Sequence, residues 1–147
     1  VIAYSSPVVG LYGTAIVGTV SGTSISFGSP VVFKSAGVEF LSATFDSNSN
    51  KVVIAYRVSP GGDLGTAIVG TVNGTAISFG TAVTFNAGTT DYISAVFDSN
   101  SNKIVVAYRD VGASPTSGTA IVGTVSGTNI SFGSETVFKT QIMARLF

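Results

Sequence analysis

The sequence predicts an all-β chain built from internal repeats, and three observations carry that expectation. The block Gly13-Thr14-Ala15-Ile16-Val17-Gly18-Thr19-Val20 returns unchanged at residues 65–72 and 118–125. The segments between turns are dominated by Val, Ile, Thr, Phe and Tyr, which fit a pleated, half-buried surface. The connections are rich in Gly, Ser, Asn and Asp, which accept turn dihedrals, and no stretch carries a helical period.

Each repeat reads as four strands. The first is Leu41-Ser42-Ala43-Thr44-Phe45, and the second runs from Lys51 to Tyr56. The third runs from Thr14 to Val20, and the fourth from Ser24 to Phe33 with a bend at Gly28. Equivalent positions recur roughly every 52 residues, and one extra residue in the last loop, 109–117, shifts the final copy. An insertion confined to a loop is what packed strands demand. The chain divides into phases of approximately 1–40, 41–92 and 93–140, followed by a divergent tail at 141–147, all within one segment, 1–147.

A four-stranded repeat of about 50 residues is the length of one propeller blade, whereas β-solenoid rungs are shorter. One such sheet cannot bury both faces alone, but blades stacked around an axis can. The expected fold is therefore an all-β β-propeller of four-stranded blades, three per chain. Small propellers have at least four blades, so three do not close a ring alone. Two chains would combine into a six-bladed ring, or the chain is part of a longer propeller, or the repeats continue as a filament. In the first case the tail 141–147 would complete the blade begun at Val1.

Composition narrows the chemistry. Seven basic and seven acidic residues cancel, so there is no basic footprint for nucleic acid. Charged residues are only 10% of the chain, and the polar surface must come from Ser, Thr, Asn and Gly, as on secreted, cell-surface and virion proteins. Cys and His are both absent, which removes disulfides, thiolate metal sites and the commonest acid–base residue. No apolar run approaches the roughly 20 residues of a membrane span. The chain starts at Val1 without a signal peptide, which reads as a processed product or a fragment.

Candidate sites are few. Asp46, Asn48 and Asn50, with their copies Asp98, Asn100 and Asn102, place oxygen side chains at alternate positions, as at the start of a calcium loop. Lys51 or Lys103 follows instead of a bidentate Glu, and these residues also favour hairpin turns, so Ca2+ is a weak expectation and no other cofactor is expected. Glu39 and Asp91 precede the first strand, seven residues before Asp46 and Asp98. An extended strand separates such a pair by roughly 20 Å, too far for a glycosidic acid pair within a blade. Tyr56, Arg57, Tyr108, Arg109 and Asp110 end the second strand, and Asp63 lies in the loop beyond, with Tyr4 and Tyr12 in the N-terminal copy. Tyr with Arg on scaffold loops suits sugar or protein contacts, against the plainer reading of packed Tyr and solvated Arg. Asn73-Gly74-Thr75 and Asn129-Ile130-Ser131 fit the N-glycosylation sequon at Asn73 and Asn129.

The segment from Tyr92 to Asp98, followed by residues 103–108 and Arg109-Asp110, resembles the blade of sialidase-type, Asp-box-like propellers. The turn from Ser21 to Phe27 sits where such families place the Asp box, with Phe27 in place of its Trp and the box Asp missing. Sialidases use an arginine cluster with a Tyr–Glu pair; Arg57 and Arg109 are equivalents on separate blades and Arg145 lies in the tail, so that catalytic set is not reproduced. The style of near-identical repeats is also similar to phage virion and environmental bacterial surface proteins. The expectation is a non-catalytic extracellular or virion-surface module that binds glycans or a host surface through repeated sites, which would give avidity. The alternative is a structural repeat subunit of a fibre, filament or particle, and self-association is expected in either case.

Overall fold

A computed structural model describes residues 1–140, and the divergent tail lies outside the described residues. Thirteen strands run in chain order with a single 3-10 turn at Pro7–Val9 and no α-helix among the described residues. They are β1 (Ile2–Ser6), β2 (Tyr12–Ile16), β3 (Gly18–Ser21), β4 (Ser24–Phe27), β5 (Val31–Asp46), β6 (Lys51–Val58) and β7 (Leu64–Asn73). Then come β8 (Ala76–Phe79), β9 (Val83–Asp98), β10 (Lys103–Asp110), β11 (Ser117–Ser126), β12 (Asn129–Phe132) and β13 (Thr136–Thr140).

Among the described residues every pairing is antiparallel, and the sheets do not close on themselves. The pairings divide the chain into three successive units. The first holds β1, β2 and the first half of β5, with the hairpin β3–β4 beyond β2. In the second, the latter half of β5 pairs with β6, β6 with β7, and β7 with both β8 and the first half of β9. The third repeats this order with the latter half of β9, β10, β11, β12 and β13.

Two expected boundaries move throughout the repeats, and in the first copy the third strand, Thr14 to Val20, also breaks at Val17 into β2 and β3. The fourth strand of each repeat is two pieces: β8 pairs with the far end of β7 at Gly70–Asn73, and β9 pairs with its near end at Leu64–Ala67. The break falls at Gly80, whose amide donates to the Val69 carbonyl, just as Gly28 donates to Val17. The second change is that no loop separates one repeat from the next. β5 and β9 each run for 16 residues, leaving one sheet and entering the next without a turn. Phe40 and Tyr92 take left-handed φ values of 49° and 51°, and the register shifts beside them. A bulge of this kind re-aims a strand without ending it.

The units stack face on face. One face of the second unit, with Ile54, Tyr56 and Ile68, packs against Ala15 and Phe33 of the first. Its other face, with Val53, Ala55, Ala67, Val69 and Phe85, packs against Ile104, Val106, Tyr108 and Ile130 of the third. Consecutive residues of β6, Val52 to Tyr56, are accordingly all buried, whereas β10 alternates buried and half-buried positions. Alternate side chains leave a strand on opposite faces, so β6 is covered on two sides and β10 on one.

Candidate functional site

The most organised polar cluster lies where the second and third units meet, on the starts of their first strands. Arg57, at the end of β6, donates from Nη2 to Glu39 of its own unit and from Nη1 to Asp91 of the next. Asp91 receives Arg109 on its other carboxylate oxygen. Asp63 lies farther off, 3.9 Å from the Arg57 Nε. Each guanidinium also covers an aromatic ring: Arg57 sits 4.8 Å from the centroid of Phe40, and Arg109 4.8 Å from that of Tyr92. Burial opposes the Arg57 charge, but the hydrogen bond to Glu39 and the carboxylates of Glu39, Asp63 and Asp91 raise its pKa above the usual arginine value.

Glu39 and Asp91 approach one another, through a guanidinium held between them. Two carboxylates clamped by arginines are charge-assisted acceptors, and Asp91 has both oxygens engaged. The chemistry this cluster can do is to tie neighbouring units together.

The tyrosines sit deeper than ligand contacts would. Tyr56 has no exposed surface and Tyr108 is 3% exposed. Phe33 of the first unit packs at 5.2 Å from the Tyr56 ring, and Phe85 of the second at 5.2 Å from Tyr108. Burial pushes the Tyr56 hydroxyl up to about 12. Tyr108 is pushed up as well, by burial first and then by Glu135 and Asp110. Asp110 is buried and accepts the Ala113 amide, closing its own loop.

The Asp46 and Asp98 loops use their oxygens internally. Asp46 accepts the amides of Asn48 and Ser49 and the Ser49 hydroxyl. Asp98 accepts the Asn100 amide and the Ser101 hydroxyl. Asn50 and Asn102 take left-handed φ values of 56° and 55°, which Asn tolerates in such turns. The Ser101 hydroxyl, then the Asn100 amide, hold the Asp98 carboxyl below its ordinary pKa. That contribution to stability is present above the unfolded-state pKa and is lost as pH falls through the lower folded value. Asn73 and Asn129 are both exposed beside the β7–β8 and β11–β12 turns.

Sequence reasoning missed the role of the small residues. A Cβ on Gly28 would lie 2.1 Å from the Thr75 carbonyl oxygen of the next unit, and one on Gly80 would lie 1.9 Å from that of Thr128. The signal was visible as Gly after Ser-Phe in every copy, but only the stack shows what the missing side chain admits. A cavity of about 520 Å3, lined by Val1, Val17, Phe45 and Val52 among others, opens between the first and second units. It adjoins β1, which pairs with β2 alone among the described strands.

Comparison with known proteins gives no match to a family, to a curated protein or to a solved structure.

Proposed function

We propose that this chain is a non-catalytic structural repeat module: three blades of a β-propeller-type stack that self-associates, as a component of a fibre, filament or particle at a cell surface or on a virion. One observation carries the reading. The second unit is covered on both faces, while equivalent apolar positions at the two ends of the stack are exposed. Ile54 is 0% exposed but its copy Ile2 is 47% exposed; Phe85 is 6% exposed but its copy Phe138 is 64% exposed. The clamped carboxylates and buried tyrosines support a role in cohesion, and no cofactor is needed for it.

A second reading, contact with glycans or a host surface, has one observation in its favour. Tyr92 is 65% exposed beneath the Arg109 guanidinium, beside a groove of about 280 Å3 that Ser94 and Phe138 also line. An exposed ring beside a cation and a hydroxyl suits a sugar face. Stacking of another unit would cover this groove, so the two readings compete for one surface.

The test of the first reading is the absolute mass of the native protein by light scattering across a concentration series. A multiple of the chain mass is expected. A monodisperse, folded monomer at every concentration would overturn it.

A further inference from the structure

The two contacts between units inside the chain share a set of equivalent residues. Phe33 meets Tyr56 at 5.2 Å and Phe79 at 5.5 Å; one unit later, Phe85 meets Tyr108 at 5.2 Å and Phe132 at 5.5 Å. The ring planes incline by 57° and 53° in the first junction and by 53° and 54° in the second. At both junctions a glycine meets the backbone of a threonine, Gly28 on Thr75 and Gly80 on Thr128.

Both halves of this set stand unpaired at the ends of the stack among the described residues. The third unit presents Phe138 and Gly133, where a Cβ would find, among the described residues, nothing nearer than the Val122 carbonyl oxygen at 3.8 Å. The first unit presents Tyr4, Phe27 and Thr23, the copies of Tyr56, Phe79 and Thr75. Phe27 and Ile25 are each 50% exposed, whereas Ile77 and Ile130, the copies of Ile25, are 6% and 4% exposed. Val122 is 46% exposed, and its copy Val69 is 0% exposed.

We infer that the C-terminal face of one chain binds the N-terminal face of a second copy, with Phe138 packed between Tyr4 and Phe27 and Gly133 laid on Thr23. This deepens the structural reading above and rests on it, naming the partner and the two surfaces. The junction between chains then repeats the junction between units. The contact is heterologous, so each chain carries one donor face and one acceptor face, and association propagates to a ring or an open filament. The occupant is another copy because the two faces already bind each other, in the same residues, twice within the chain.

The experiment uses two face-blocking variants of the 147-residue chain. Gly133→Val blocks the C-terminal face, and Ile25→Asp with Phe27→Asp blocks the N-terminal face. Circular dichroism and thermal melting confirm that each is folded, and Phe138→Asp serves as a second C-face variant. Light scattering is expected to find each variant alone as a monomer and an equimolar mixture as a dimer, joined through the one intact pair of faces. If each variant alone still forms dimers, or keeps the wild-type mass, the wild type self-associates through other surfaces; the inference is then wrong while the structural reading stands. A wild type that is monomeric throughout overturns both.

Discussion

At Tyr56 the ring is enclosed by the first and second units, and its hydroxyl has no hydrogen-bond partner among the described residues. Its copy Tyr108 is likewise buried one unit later. A buried hydroxyl that loses water and gains no partner costs on the order of 1–3 kcal/mol. Tyr56→Phe keeps the ring against Phe33 and removes only that penalty, so it is expected to be neutral or to stabilise by about 1 kcal/mol. Tyr56→Ala empties the junction and is expected to cost about 3–5 kcal/mol. Urea denaturation of both variants checks the pair; a marked loss in Tyr56→Phe would show that the hydroxyl is bonded after all. The residue pattern alone offered these tyrosines as contacts for a ligand, because a sequence shows that Tyr recurs before Arg but not which way either side chain faces.

Among the elements, the hairpins between first and second strands were legible from their Asp-Ser-Asn-Ser-Asn turns, since each residue there favours a turn for a local reason. The continuous 16-residue strands β5 and β9 were not legible. Lys34 to Phe40 and Asn86 to Tyr92 carry Gly, Ser, Thr and Asn, the marks of a loop, yet they form the passage between sheets. Their propensity is overridden by pairing with β2 or β7 on entry and with β6 or β10 on exit. The two copies of the Asp turn also differ in weight. Asp46 is 3% exposed and accepts three hydrogen bonds, whereas Asp98 is more open and accepts two. Asp46→Ala therefore is expected to lose about 1–3 kcal/mol, and clearly more than Asp98→Ala. Thermal melts of the two variants side by side decide it; equal losses would mean that burial of the Asp46 carboxylate contributes nothing.

For the whole molecule, the all-β class was legible because every repeat is rich in Val, Ile, Thr, Phe and Tyr between turn-forming connections. The pairing of faces was out of reach: it depends on which neighbour covers which side of a strand, and alternation alone does not say. Stacking makes stability a sum of unit terms and junction terms, as in other repeat architectures. The second unit has two junctions and the first and third have one each. Opening β6 or β7 must break both junctions, with Tyr56, Ile68 and Val69 exposed in one event. Opening β1 disrupts a strand paired on one edge only among the described strands, and β13 is exposed along its whole length. Native-state hydrogen exchange is therefore expected to show the slowest amides in β6 and β7, near the global unfolding free energy, and the fastest in β1, β4 and β13. Association through the end faces adds a junction to each terminal unit. Protection in β1, β2 and β11 should then rise with protein concentration while β6 and β7 gain little. Uniform protection at low concentration would mean that the chain opens as a single cooperative block, with no separable junctions.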